Sequence, residues 1–423
     1  MRFCVIGAGS GGRAFAAYIS SKGFPVSLYN RSYSRISAIK KEGGIKATGF
    51  LNGFFPLEVI TQNLKLAIKD ANVILIVTPA SAHNDIAQKL APLLSNNQII
   101  ILNPGRTFGA VEVKKIIDKE KGPNLIRVGE TQTLLFTSRE LDENEVNIIT
   151  IKETVAFSTF PDKYTFLVYD TLKEVFPQFI PNENYLEVTL NNVGMLLHPA
   201  ITLLNAGMMD IGKKFKFYKE GATPRVCEVL ENIELELNEL FLKLGLKQLK
   251  YHKWVKKSYG VISNKIYDSI QNVKAYRNVY APDKLITRYL TEDVPTGLVP
   301  IASIAEFLNI STPTITSIIH LTSILCGKNF KKTGRTLQSL KLFDYFVNYL
   351  KDLRNLEWES KGYYKLKHIF THPADFKVCF NCGTINSQEN EICWVCHYSN
   401  FREILLLDKL RINKKTPNAL MRT

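Results

Sequence analysis

No run of about 18 apolar residues, the length needed to cross a bilayer as a helix, occurs in this chain of 423 residues. A membrane protein is therefore not expected. Cysteine is scarce, with seven in all. Cys4, Cys227 and Cys326 stand apart in apolar surroundings and the other four cluster near the C-terminal end. That is not the disulfide framework of a secreted domain. No leader is expected either, because a strand-like apolar run begins at Arg2 and leaves no room for a cleaved signal segment. These absences predict a cytoplasmic location. Basic residues are plentiful, and the formal charge is +15. Long basic runs are lacking, with only pairs such as Lys213-Lys214 and Lys256-Lys257. Scattered charge of this kind suits a lysine-rich proteome or anionic ligands better than a nucleic-acid surface.

What is present begins at once. Arg2 to Ile6 predicts a buried strand, and Gly7, Gly9 and Gly12 follow as G-x-G-x-x-G in Gly7-Ala-Gly-Ser10-Gly11-Gly12. The first glycine allows a tight turn, the second lets backbone approach a pyrophosphate, and the third lets the next helix pack on its strand. Arg13 to Ser21 predicts that helix, whose N-terminus offers unpaired N–H groups to an anion. Placed between strand and helix, the glycines predict a dinucleotide site rather than a structural turn. Pro25 to Tyr29 predicts a second strand, and Asn30, Arg31 and Ser32 follow it, with Arg35 one turn on. An acid there would bond the ribose 2′-OH, and none is present. A guanidinium pairs well with phosphate, so NADP is favoured over NAD. In the alternative, Arg31 stacks on adenine and both cofactors bind.

Further strands are predicted at Ala71–Pro79, Gln98–Gly105, Leu125–Thr131, Asn147–Val155 and Thr165–Val168. Thr78 and Pro79 close one of them and are expected beside the cofactor, since ligands sit at the carboxyl ends of parallel strands. His83, just beyond, reads as a helix-start or surface residue more than a catalytic one. Strands alternating with helices predict a doubly wound α/β domain over residues 1–185. Long helical periodicity then takes over, with helices predicted at Glu187–Asn205, Thr223–Leu244 and Pro313–Leu325. An all-α second domain over 186–353 follows. Two of its stretches carry chemistry: Thr189-Leu-Asn-Asn-Val-Gly-Met-Leu-Leu-His198-Pro199, and Thr287-Arg288-Tyr-Leu-Thr-Glu-Asp293-Val-Pro-Thr-Gly-Leu-Val-Pro300. A carboxylate on a histidine fixes its tautomer for proton transfer, and an arginine nearby clamps a substrate carboxylate. Spacing alone leaves a buried structural histidine as the competing reading.

These stretches, with Val-Ile-Leu-Ile-Val-Thr-Pro-Ala, Ile-Ile-Leu-Asn-Pro-Gly, Gly-Glu-Thr-Gln-Thr-Leu-Leu-Phe-Thr-Ser-Arg and Tyr218-Lys-Glu-Gly-Ala-Thr-Pro224, are ordered as in one family. Over residues 1–345 the chain resembles the octopine/nopaline-type opine dehydrogenases. The resemblance implies reversible reductive condensation of an α-keto acid such as pyruvate with the amine of an amino acid, with NAD(P)H as hydride donor. It also implies that His198 is the catalytic histidine, Asp293 its partner carboxylate and Arg288 the keto-acid-binding arginine. Some relatives carry asparagine one turn before the histidine, where this chain has Gly194, with Asn192 offered as a partial substitute. The alternatives are a keto- or hydroxyacid reductase without an amine, and a cofactor-binding regulator.

The family ends near residue 350, and this chain continues. Cys379, Cys382, Cys393 and Cys396 read C-x2-C, ten residues, C-x2-C. Two knuckles of this spacing complete a tetrahedral thiolate site, which predicts a structural Zn2+ in a zinc ribbon over 379–397, with iron as rival metal. Residues 354–423 are thus expected to be a linker, the ribbon and a tail. The basic tail also contains apolar Ile404–Leu407. Protein contact or self-association is favoured there over nucleic acid, which stays open, and a homodimer is expected.

Overall fold

The strands of the first part of the chain are β1 (Phe3–Ile6), β2 (Val26–Tyr29), β3 (Gly44–Gly49), β4 (Gly53–Pro56), β5 (Val59–Thr61), β6 (Val73–Ile76), β7 (Ile99–Leu102), β8 (Arg127–Thr131), β9 (Phe136–Glu140), β10 (Glu145–Ile151), β11 (Val155–Phe160) and β12 (Phe179–Pro181). They come from a computed structural model that describes residues 1–121, 125–360, 363–365, 376–379, 385–389, 391–392, 399–403 and 420–422. Two compact units form, Met1–Lys341 and Leu342–Thr423.

β1, β6 and β7 are apolar at every position and wholly buried. Strands covered on both faces take this composition, because neither face meets water. They lie in an eight-stranded sheet of order β12-β11-β8-β7-β6-β1-β2-β5. From β5 to β8 all neighbours are parallel, whereas β11 runs antiparallel to β8. The chain leaves β1 toward β2 on one side and returns to β6 on the other. This reversal opens a crevice at the carboxyl ends of β1 and β6, where a doubly wound sheet binds its ligand.

Two sequence expectations fail here for identifiable reasons. Thr165–Val168 is not a strand but the start of the helix Thr165–Leu172, whose buried Thr165, Val168 and Leu172 recur at helical spacing. Asn147–Val155 is not one strand but the end of β10 and the start of β11, which belong to different sheets. β10 joins a four-stranded sheet of order β4-β3-β10-β9. Its Phe136 packs edge-on against Phe15 and Tyr18 of the helix Ser10–Ser21. That helix is therefore buried continuously from Gly11 to Ile19, on a face that a plain doubly wound domain leaves to solvent.

Helices follow from Tyr185. The stretch expected as one helix is two, Tyr185–Leu190 and Val193–Leu204, parted at Asn191-Asn192. Pro224–Lys243 is capped by the Thr223 hydroxyl, which accepts from Val226 N–H, and Pro313–Leu325 forms at its expected place. After Asp293 comes a π-helical turn, Val294–Leu298, with Leu298 N–H donating to Asp293 C=O. Single π turns recur at functional sites. Pro300 has no N–H to give back along the helix. The Thr296 carbonyl instead accepts from Thr107 N–H, fastening this turn to the loop after β7.

The second unit holds the helix Phe343–Ser360, a strand pair of Tyr363–Lys365 with Leu420–Arg422, and an antiparallel sheet with Phe376–Cys379 between Ile385–Ser387 and Phe401–Glu403. Cys379 is buried at the end of the central strand. Cys382, Cys393 and Cys396 lie outside the described residues, so the expected metal site does too. No metal-binding cluster occurs among the described residues, and none of their helices is long and apolar enough to cross a membrane.

Candidate active site

The crevice opens into a cleft of about 590 Å3 lined by both halves of the first unit. At one end are Gly7, Gly9, Ser10, Gly11, Asn30, Arg31, Ser32, Thr78 and Pro79, as the sequence predicts. Gly12 is not in the lining; a Cβ there would lie 1.8 Å from the Gly7 carbonyl oxygen, so its role is close packing. Gly7 takes φ +113°, a conformation that favours glycine, and a Cβ would meet Val77 O at 2.4 Å. Asn30 is occupied locally: its Oδ1 accepts from Ala8 N–H at 3.2 Å and its Nδ2 donates to Ser32 O at 3.1 Å. Arg35 is held by Glu140 at 2.7 Å, whereas Arg31, exposed just after β2, has no ion pair among the described residues.

A dinucleotide fits these residues. The helix Ser10–Ser21 begins with no acid in its first turn and aims its N-terminus at the cleft, which suits a pyrophosphate. Thr78 Oγ1 is buried on the lining without a protein partner.

At the other end His198, on the helix Val193–Leu204, meets Asp293 at the mouth of the π turn. His198 Nδ1 lies 2.7 Å from Asp293 Oδ2, and its Nε2 lies 3.0 Å from the Tyr218 hydroxyl. Tyr289 stacks on the imidazole at 4.3 Å between centroids. Arg288, one residue earlier, is exposed on the lining and forms no ion pair among the described residues. His198, Asp293 and Arg288, separated by about 90 residues of sequence, thus meet at one place.

Asp293 is wholly buried. Burial alone would raise its carboxyl, but Arg106 and His198 outweigh that and hold it below the usual carboxylate range. An ionised Asp293 places the proton on His198 Nδ1 and leaves Nε2 to accept from Tyr218. The Tyr218 hydroxyl is pushed far above its ordinary value by burial first, with nearby tyrosines adding, so it remains a donor.

Arg106 escaped the sequence reading. It sits at the carboxyl end of β7, beyond the cis Asn103–Pro104 bond, with φ +60°. A non-glycine residue there is strained by about 1 kcal/mol or more, a cost that recurs at functional sites. Its Nε donates to Glu292 Oε1 at 3.1 Å, and its Nη1 lies 3.1 Å from Asp293 Oδ1. Glu292 Oε1 also accepts from Ala80 N–H, just beyond Pro79. The guanidinium fills the space beside Gly194, where a Cβ would lie 2.2 Å from Arg106 Nη1. A buried cation therefore stands beside Gly194. Asn192 turns to Thr107 instead and is absent from the lining of this cleft. The signal that was available was Asn-Pro-Gly-Arg at the end of a central strand, where ligands sit.

His83 begins the helix His83–Leu90, as expected, but is fully buried rather than on the surface. Burial, then Arg335 and Arg106, push its pKa well below the ordinary value, so it is neutral. Its Nδ1 accepts from Arg335 Nη2 at 3.2 Å, away from the cleft lining.

A cleft with a dinucleotide loop at one end and a histidine–carboxylate pair at the other is that of an NAD(P)-dependent oxidoreductase. Residues 2–118 match a family model for the N-terminus of NAD-dependent glycerol-3-phosphate dehydrogenase, and residues 181–326 match one for the α-helical domain of NAD/NADP octopine/nopaline dehydrogenase. The chain is 39% identical to an opine dehydrogenase of Arthrobacter sp. (strain 1C) over 341 residues, 80% of this chain and 95% of that one. It is 26% identical to a D-nopaline dehydrogenase of Agrobacterium tumefaciens (strain T37), over 78% of this chain and 87% of that one. Octopine dehydrogenase solved with NADH and pyruvate superposes with a TM-score of 0.67 at 19% identity, covering 82% of this chain and 98% of that one. Yersinopine dehydrogenase with NADP+ bound gives 0.63 at 15% identity, covering 85% and 99%. The chain belongs to the octopine/nopaline-type opine dehydrogenases.

Proposed function

We propose that this chain condenses an α-keto acid of the pyruvate type with the amine of an amino acid and reduces the resulting imine to an N-(carboxyalkyl) amino acid. The observation that carries this reading is that Arg288 and His198 line the cleft that begins at the glycine loop, with the buried Asp293 bonded to His198 from behind. The bound nicotinamide supplies the hydride. Arg288 clamps the keto acid's carboxylate and so fixes its carbonyl carbon within the cleft. Asp293 holds His198 in one tautomer and orientation. His198 Nε2, released by Tyr218 as substrate enters, exchanges a proton with the reacting centre. Arg106 is a positioning residue: it touches no reacting atom and keeps Asp293 ionised. Arg31 bonds a ribose 2′-phosphate, which favours NADP.

We further propose a division into 1–185, 186–353 and 354–423, a homodimer, a cytoplasmic location, and a structural zinc on Cys379, Cys382, Cys393 and Cys396. The cysteine spacing supports the last. Metal analysis of the purified chain is expected to find close to one equivalent of zinc, lost in Cys379→Ser; iron, or no metal, would refute it. The reaction is tested by following NADPH and NADH oxidation with pyruvate constant and amino acids added singly. Oxidation that needs both substrates is expected. Oxidation with keto acid alone would replace the condensation with a simple reductase, and none under any pairing would overturn the reading.

A further inference from the structure

We propose that Lys152 is the carboxylate anchor of the amino-acid substrate, in a subsite whose aromatic wall selects neutral, apolar side chains. The proposal rests on the opine dehydrogenase reading above and deepens it.

Lys152 stands where the chain passes from β10 to β11. Its side chain lines the cleft, yet the residue is only 4% exposed. The ammonium donates to Leu134 C=O at 2.5 Å and lies 5.9 Å from the centre of the Tyr259 ring. An ammonium has three N–H donors. Lys152 forms no ion pair among the described residues. A charge taken out of water without a counter-ion costs several kcal/mol, which makes such a group rare unless something else completes it. On the wall of a ligand cleft, an anionic group of the ligand does so.

The neighbours say which anion. Four cations line the cleft without an ion pair among the described residues: Arg31, Arg139, Arg288 and Lys152. Arg31 follows β2, and Arg139 precedes Glu140, the partner of Arg35, so both belong to the dinucleotide end. Lys152 stands between the two ends: Leu134, whose carbonyl it bonds, packs against Gly11, while the Tyr259 ring beside it opens toward the other end. From this ring a continuous aromatic wall leads to the proton-transfer pair. Tyr259 meets Tyr276 at 5.8 Å, Tyr276 stacks on Tyr218 at 4.0 Å, and Tyr218 bonds His198. The condensation product carries two carboxylates, one from each substrate. Arg288 takes that of the keto acid, and Lys152 takes that of the amino acid.

The same wall limits the side chain. Trp254 stands edge-on to Tyr259 at 5.6 Å and extends the aromatic surface. The acids lining the cleft are Asp85, Glu140 and Glu292, and each is already paired with a cation: Lys89, Arg35 and Arg106. A cationic side chain such as that of arginine or lysine therefore finds no counter-charge, whereas an apolar or aromatic one finds contact area.

The test compares L-phenylalanine with L-phenylalaninamide, which keeps the side chain and loses the carboxylate, at saturating pyruvate and NADPH. In the unaltered enzyme the amide is expected to lose about 100-fold in kcat/KM, the scale of a charge-assisted bond. Lys152→Met is expected to lose a similar factor on phenylalanine, mainly through KM, and little on the amide, with Lys152→Arg restoring part. Phenylalanine, leucine and methionine are expected to exceed arginine and lysine at least tenfold. Calorimetric binding of N-(1-carboxyethyl)-L-phenylalanine to the NADP+-loaded enzyme repeats the comparison without turnover. An amide as good as the acid in the unaltered enzyme, or arginine as the best substrate, overturns the proposal. So does a Lys152→Met defect confined to the KM of NADPH or pyruvate, which would assign the ammonium to a cofactor phosphate or the keto acid. If no amine and keto acid pair is turned over, the reaction reading fails, and the calorimetric comparison still decides Lys152.

Discussion

Replacing Gly194 with alanine adds one methyl group beside the buried Arg106–Asp293 pair. The new Cβ would stand 2.2 Å from Arg106 Nη1 and 2.8 Å from Asp293 Oδ1. The far end of an arginine normally swings aside at little cost, but this one is pinned by Glu292 and Asp293, both nearly or wholly buried. Moving the guanidinium leaves two buried carboxylates short of a partner, a loss of about 3–5 kcal/mol when a buried pair is broken. Alanine returns up to about 1 kcal/mol through helix propensity. The net expectation is a destabilisation of about 2–4 kcal/mol, read as a melting temperature lower by several degrees. Turnover falls at least tenfold, because Asp293 no longer has the cation that keeps it ionised. The double variant Gly194→Ala/Arg106→Met isolates the cause. Once the guanidinium is gone the added methyl meets nothing charged, so the two effects are expected to be strongly non-additive. A Gly194→Ala protein with unchanged melting temperature and kcat would refute the reasoning, and strict additivity in the double variant would refute the coupling.

Asp293→Asn is expected to lower kcat by roughly 100-fold or more, the scale of general acid–base catalysis, while NADPH affinity measured by fluorescence stays within a factor of three; parallel losses would count against the pair. Arg31→Ala should reduce kcat/KM for NADPH by about 10-fold or more and leave NADH nearly unaffected, and an equal effect on both cofactors would reassign Arg31 to adenine stacking. Glu130 is wholly buried, and burial raises its pKa from 4.5 to about 7. The folded state therefore holds a proton that the unfolded state gives up. Stability contributed by this group is present at low pH and declines as pH rises from about 5 through 7, by about 3 kcal/mol in all. Glu130→Gln removes that decline, so its urea midpoint relative to the unaltered enzyme should climb between pH 5 and pH 8, and parallel profiles would refute the assignment.

The middle of the central sheet was legible because β1, β6 and β7 are pure apolar runs at the N-terminal side of turns with strong chemistry, as at Ile6-Gly7 and Ile76 to Pro79. The second sheet was not. β3 and β4 lie about 80 residues before β9 and β10, three of the four strands carry polar residues, and β10 runs almost directly into β11 without a turn signal. Their pairing is a tertiary choice, made by the aromatic face of the helix Ser10–Ser21. In the candidate site, His198, Asp293 and Arg288 were expected because the family resemblance implied them, and the fold brings them near one another. Arg106 and Tyr218 were not singled out, because each meets its partners, Glu292 and Asp293 or His198, only in the fold, and no local spacing encodes that.

Arg335 gives the unit an order of completion. Its guanidinium donates to the carbonyls of Gly105 and Thr107 and to Glu112, and its backbone N–H donates to Pro295 C=O. The loop that carries Arg106 is thus latched by a residue 230 positions later in the chain. A ribosome adding about 5–20 residues per second separates the two by roughly 10–50 seconds. Through that interval the nascent sheet can already exist while its catalytic rim lacks the latch. A half-made chain of this enzyme would therefore be a cofactor cradle before it is a catalyst, and the last turn of synthesis before Lys341 is what closes the rim.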